Sequence, residues 1–469
     1  MTLDEKERPC YDSGDYQPQQ GDVIMDQKTS NCQAVKLEAF RKGFYGCLGH
    51  RRDALFEIAE AVLTCHRPVT SLPELSLEPV FSRKHGSLYG ALADGGIDRA
   101  ALEKLLLATS PEGWAPIFGV DISNYTRPEA RTLPGLEWCH MSRSGGAVRL
   151  PGYALSFVSR LSAEDDSWTA PVSTRRFHPG KDRTAETVEQ IQDLIDNLPP
   201  DSHPLFVFDA GYHSSGLAAG LAGTGAATLT RLRFDRVFFR EPPPQAPGRR
   251  GRPRINGEAL RTKDLARLPD PDEHLEAFDK RGNPVLVAAW HHLHMRPDRG
   301  RPRSGKPVAG SLITVEIVRP KPTSGRPVAQ PLRLFWTGPG KPDLSLLWQV
   351  YLRRFDLEQT FRFWKQRLGW TVPSLETPEQ IALWTALLAA VYTQLRLARS
   401  LVPDVRLPWQ RPLSPEEMTP GRVHQGFSRV WANLPRLTGS PKMVKPGSGW
   451  PKGQKRQRKK PVPVFKRAP

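Results

Sequence analysis

Residues 351–365 read YLRRFDLEQTFRFWK, and the fold of the whole chain turns on them. At about 100° per residue for a helix, Tyr351, Arg354, Glu358 and Lys365 fall within roughly a 60° arc. They make one polar stripe, with Arg362 inside it. Leu352, Phe355 and Phe363 lie on one side, and Leu357, Phe361 and Leu368 on the other. A polar stripe walled by apolar residues on both flanks predicts a helix lining a cleft. An ordinary surface helix, with Glu358 paired to Arg354 or Arg362 one turn away, gives the same stripe, so the spacing has to decide.

That spacing is Tyr, two residues, Arg, three residues, Glu, six residues, Lys. It resembles the signature of bacterial insertion-sequence transposases of the DDE type, and all four positions match. In that family the glutamate is the third metal-binding carboxylate, so the resemblance implies two aspartates upstream at the ends of strands. Both are found. In APIFGVDISN, residues 115–124, the run Pro116 to Val120 leads into Asp121 as a buried strand delivers an acid to its tip. In HPLFVFDAGY, Leu205 to Phe208 delivers Asp209 in the same way.

Between and around them the periodicity predicts strands at Gly152 to Leu161, Ala170 to Phe177 and Ala226 to Leu232. It predicts a helix over Thr184 to Leu198 and a Gly-rich helix after Asp209. Three strands, a helix, a strand, a helix and a strand follow the order of an RNase H-like core. The expected fold class is therefore α/β, with an RNase H-like mixed-sheet catalytic core over residues 113–402. A β-rich insertion is expected at about 235–343, from strand-like runs at Val285 to Trp290, Leu312 to Val318 and Leu332 to Trp336. A long buried helix is expected from about Pro378 to Leu401.

The flanking regions differ in character. Residues 1–33 are polar and without periodicity, and are expected as a disordered leader. Residues 34–112 carry Leu37, Phe40, Phe44 and Leu48, then Leu55, Ile58 and Val62, at helical spacing, with basic residues around them. They predict a small helical domain, with Thr70 or Ser71 and Asp98 as helix caps. By the resemblance, this domain grips the transposon end. Residues 403–469 form a Pro-rich basic tail closing in KGQKRQRKKPVPVFKR, expected to be ordered by DNA phosphates.

Charge and cysteine content limit the function. The net charge of +18 implies a polyanionic partner, and nucleic acid is the commonest one. Five cysteines without a CxxC pair fit a reducing compartment and argue against a zinc finger or disulfide framework. The N-terminus has no apolar signal core, and no apolar run approaches the ~20 residues of a membrane span. A cytoplasmic, nucleoid-associated protein without a membrane role is expected.

The resemblance implies a catalytic and metal-binding triad of Asp121, Asp209 and Glu358 around two divalent cations, Mg2+ with Mn2+ as the alternative. Three carboxylates converging in a cleft repel one another until cations arrive. Tyr351, Arg354 and Lys365 are implied as contacts to the transposon end. Two runs, RGRPR at 250–254 with Arg252 and RPR at 301–303 with Arg301, look like AT-hook cores for a narrow minor groove. The implied activity is a transposase that cuts at the inverted-repeat ends and joins them to target DNA, acting as a homodimer on double-stranded DNA. A domesticated nuclease that cuts without joining, and a non-enzymatic binder of AT-rich DNA, are the alternatives.

Overall fold

The computed structural model describes residues 20–143, 146–244, 254–295, 307–319, 330–441, 453 and 460–465. Five helices come first: α1 (Gln20–Cys47), α2 (Arg52–Thr64), α3 (Leu72–Leu75), α4 (Gly86–Asp94) and α5 (Arg99–Ala108). Ser71 caps α3, and Asp98 caps α5 by accepting from the Ala101 N–H at 2.9 Å. The first helix starts at Gln20, ahead of position 34 where the polar composition put the first ordered residue. Leu37, Phe40, Phe44, Leu55, Ile58 and Val62 are all buried in a core that continues into later parts of the chain. Packing is thus unbroken across position 112.

The sheet follows. Its strands are β1 (Ile117–Thr126), β2 (Glu137–Arg143), β3 (Gly146–Leu161) and β4 (Thr169–Arg176), then α6 (Arg183–Ile195), β5 (Leu205–Phe208), α7 (Ser214–Gly220) and β6 (Ala227–Arg231). Hydrogen bonding sets the order β4-β3-β1-β5-β6, with β3 antiparallel to β1, β4 antiparallel to β3, and β5 and β6 parallel to β1. This is the RNase H-like arrangement. The four residues of β5, LFVF, are all buried because helices cover both faces of a parallel sheet. β3 runs for 16 residues, so its first half pairs with β2 and its second with β1 and β4.

The insertion is not a separate subdomain. Its strands are β7 (Val237–Phe239), β8 (Ala259–Arg261), β9 (Glu273–Phe278), β10 (Pro284–Met295), β11 (Gly310–Ile317) and β12 (Leu332–Thr337). β12 pairs antiparallel with β6, and β11 and β10 continue outward, so one sheet of 12 strands forms among the described residues. An edge left bare at β6 would expose a row of unpaired backbone groups, which β12 satisfies. Trp290 and Trp336 are buried in this half of the sheet.

The last helices are α8 (Leu344–Arg353), α9 (Phe355–Gln366), α10 (Pro378–Leu397) and α11 (Pro420–Trp431). The stretch 351–365 is therefore two helices rather than one, jointed at Arg354. There the Arg354 N–H is shared between the Val350 and Tyr351 carbonyls, and Leu357 bonds back to Arg354 in a tighter turn. Long-range ion pairs pin the joint. Arg353 reaches Asp165 at 2.7 Å in the β3–β4 turn and Asp356 at 2.6 Å. One flank of the expected stripe is also open, since Leu352 and Phe355 are exposed while Leu357, Phe361 and Leu368 are buried.

α10 is buried on nearly every face and packs against α1, α2, α11 and β4. Beyond 403, α11 folds back, burying Val423 and Phe427, spaced one turn apart. Further on, the Val462 N–H bonds to the Arg131 carbonyl and the Phe465 N–H to the Leu136 carbonyl, each at 2.8 Å, against the sheet edge. The basic run at 454–459 lies outside the described residues.

His424 of α11 ties these helices together. Its Nε2–H donates to the Val62 carbonyl at 2.8 Å, and its Nδ1 accepts from Arg367 Nε at 3.1 Å. Burial pushes the ring down to about 4. Because the fold favours the neutral ring, its contribution is full above the ordinary histidine value near 6.5 and is lost as pH falls from there to about 4. Roughly 3 kcal/mol should disappear over that window. Thermal melts across the range should show the slope in the wild type and a flatter profile in His424→Gln; equal slopes would assign the acid sensitivity elsewhere.

Candidate active site

Asp121 lies in the middle of β1, opposite Phe157 of β3. The preceding residue, Val120, pairs with Phe208, the last residue of β5. Asp121 and Asp209 therefore follow one another across neighbouring parallel strands. Glu358 arrives from the other side on α9. Gly119 explains how closely α9 can approach, because a Cβ there would sit 2.7 Å from Leu357 Cδ1 and 3.1 Å from Leu161 Cδ1. Gly119→Ala should push α9 off β1, lowering stability by about 1–3 kcal/mol and moving Glu358. A denaturant melt alongside a cleavage assay checks both effects, and an unchanged variant would mean that Leu357 gives way freely.

One guanidinium holds the acids. Arg354 Nη1 donates to Asp121 Oδ2 at 2.8 Å, and Arg354 Nη2 donates to Glu358 Oε1 at 2.9 Å. The other oxygen of Asp121 accepts from the Ile122 N–H at 2.7 Å. Burial pushes the Asp121 carboxyl up to about 6, with the charges of Asp209 and Glu358 adding to the rise and Arg354 opposing it. For Arg354, burial works against the charge, but Asp121, Tyr351, Asp209 and Glu358 outweigh it and raise its pKa. The mutual influence of the three acids and Arg354 marks them as one charge cluster.

The other residues of the stripe sit lower. Tyr351 is buried, its hydroxyl without a hydrogen-bond partner among the described residues, and burial raises its pKa. Lys365 is half-buried with Nζ 5.5 Å from the centre of the Trp370 ring. Burial lowers its pKa, which the Asp121 charge partly offsets. Arg252 and Arg301 lie outside the described residues.

Two neighbours were invisible to spacing arguments. Tyr212, three residues beyond Asp209, stacks edge-on to Phe208 at 5.1 Å and carries its hydroxyl to the floor of the site. Burial, then the Asp121 charge, holds that phenol well above its ordinary range. Its oxygen and Ser156 Oγ are both buried without hydrogen-bond partners among the described residues. Tyr212 is brought there by the turn after Asp209, in which its N–H bonds back to the Asp209 carbonyl, and periodicity gives no sign of that turn.

Three hard carboxylates from separate elements suit Mg2+ or Mn2+ as a donor set. Among the described residues, no three His, Cys, Asp or Glu side chains stand close enough to hold an ion. The reason lies in Arg354, whose positive charge stands between Asp121 and Glu358.

With this geometry in view, comparison with known protein families gives a match to a model described as DDE superfamily endonuclease, over residues 43–297. The chain belongs to that family. The matched span includes Asp121 and Asp209 and ends before Glu358. No curated protein matches the chain. Among solved structures, the chain is similar to a piggyBac transposase in a synaptic complex with hairpin DNA, at 9% identity and a TM-score of 0.39, over 82% of this chain and 74% of the other. No helix among the described residues is long and apolar enough to cross a membrane.

Proposed function

We propose that this endonuclease is a DNA transposase of the insertion-sequence type, cutting at inverted-repeat ends and joining the freed ends to target DNA. The observation that supports the reading is the cluster itself: acids from β1 and α9 bond one guanidinium beside the parallel strand that ends at Asp209, on a strongly basic chain. Asp121, Asp209 and Glu358 would hold two divalent ions, Mg2+ or Mn2+, which when bound neutralise charge at the attacking and departing oxygens of the scissile phosphate.

The chain's own groups prepare that centre. The Ile122 N–H fixes one Asp121 oxygen, leaving the other for a cation. Arg354 bridges Asp121 and Glu358 and sets its positive charge between them. For the acids to close on an ion, Arg354 has to release at least one of them, and a phosphate oxygen is the acceptor a freed guanidinium takes best. Lys365 and Tyr351, on the same side, are the further candidates for the transposon end. Outside the cluster, the helices of 34–112, the runs carrying Arg252 and Arg301, and the basic tail are proposed to grip the flanking DNA, with two copies of the chain on the paired ends.

The test is a cleavage and strand-transfer assay on the DNA flanking its own gene, with Mg2+, comparing wild type with Glu358→Gln. Cutting and joining that vanish in the variant support the reading. Cutting without joining would mark a domesticated nuclease. Equal binding with no cutting by either protein would leave a non-enzymatic DNA binder.

A further inference from the structure

Away from the acids, the loop between α10 and α11 carries a feature that folding does not explain. Trp409 is 79% exposed and Leu407 46% exposed. The loop is nevertheless held firmly by its own bonds. Asp404 accepts from Arg422 at 2.5 Å and from the Leu413 N–H at 3.0 Å. Gln410 accepts from the Leu407 N–H at 3.0 Å, and its carbonyl accepts from Arg406 at 3.1 Å. A large apolar ring is thus presented to solvent on a fixed support.

Beside it lies a groove of about 440 Å3 between the loop, α11 and the end of α2. His66, Arg406, Gln425, Ser428 and Arg429 line it, with no carboxylate among the lining residues. Arg406 makes no ion pair, and Arg429 has neither an ion pair nor a side-chain hydrogen bond among the described residues. Guanidiniums without a carboxylate partner, on a groove next to the loop that exposes an indole, match a polyanion with an apolar edge, which is what duplex DNA presents: phosphates along each strand and sugar and base edges between them.

We infer that this groove and Trp409 form a second contact surface for duplex DNA, separate from the acid cluster. Arg406 and Arg429 pair with phosphates, His66, Gln425 and Ser428 add hydrogen bonds, and the Trp409 ring lies against the sugar and base edges. The inference rests on the reading that this endonuclease acts on DNA.

The test measures fluorescence anisotropy of a labelled mixed-sequence duplex titrated with the full chain, for wild type, Trp409→Ala, Trp409→Phe and Arg406→Gln/Arg429→Gln, over a series of salt concentrations. Trp409→Ala is expected to weaken binding about tenfold, with Trp409→Phe close to wild type. The double arginine variant should lower the slope of log Kd against log salt by about 2, one phosphate for each guanidinium lost. These groups are exposed, so the variants fold. If wild type binds and all variants bind with the same affinity and slope, the surface is not a DNA contact, while the transposase reading stands. If wild type itself binds no duplex, both fall. A change confined to the sedimentation behaviour of Trp409→Ala would make the patch a contact between copies of the chain, and that too overturns the inference.

Discussion

Asp121→Asn is expected to lower DNA cleavage about a thousandfold, since one of the three proposed anionic ligands becomes a neutral amide. The amide keeps the side-chain volume, and its single oxygen can still accept from the Ile122 N–H, while the bond from Arg354 is given up and Arg354 keeps Glu358. The substitution also removes a charge that Asp209 and Glu358 repel. The variant should therefore fold and bind DNA as wild type does, so that loss of turnover reads the chemistry alone. Circular dichroism and a DNA-binding titration beside the cleavage assay separate the two. A variant that still cuts at the wild-type rate would remove Asp121 from the centre and, with it, the proposed triad.

Arg354→Ala carries the other large effect, and it falls first on stability. The guanidinium is about 10% exposed and bonded to Asp121, itself 17% exposed, and to Glu358. Taking it away leaves a partly buried acid facing two others. Breaking a buried pair in this way costs about 3 kcal/mol. Mg2+ added in excess should return much of that loss, because an ion takes over the missing positive charge and binds only the folded chain. In wild type the same addition should do less, with Arg354 already there. Thermal melts of both proteins in EDTA and in Mg2+ give the comparison; a variant as stable as wild type in EDTA would mean that the bridge contributes nothing to the fold.

Much of this arrangement was legible in the sequence because each acid follows a short apolar run, although β1 does not end at Asp121 as the run suggested but continues through it to Thr126, paired with β3. IFGV before Asp121 and LFVF before Asp209 are strands buried on both faces, which is the one strand type that reads as an unbroken apolar run. The strands that escaped reading lack that signal. β7 and β8 have three residues each, and β9, EHLEAF, is never fully buried along its length. EWCHMSR of β2 mixes charge and apolar groups because it runs along the sheet edge.

The joint at Arg354 was hidden for a different reason. No Gly or Pro marks it, and it is produced by partners far away in sequence, Asp121 for Arg354 and Asp165 for Arg353. Spacing could say that Arg354 and Glu358 share a face. It could not say that the guanidinium would turn inward and hold an acid from β1. Likewise the Pro-rich composition after 403 concealed α11, whose Pro420 occupies the first helical turn where proline is tolerated.

The pairing of β12 with β6 has a mechanical side. β12 ends at Thr337 and α8 begins at Leu344, so the strand that closes the insertion onto the core also anchors the helices that carry Arg354 and Glu358. The outer strands, β12 and Glu358 are then successive parts of one continuous stretch of structure, so a displacement of β10 and β11 would be passed through β12 to α8 and α9 and move Glu358 relative to Asp121, which is held in β1.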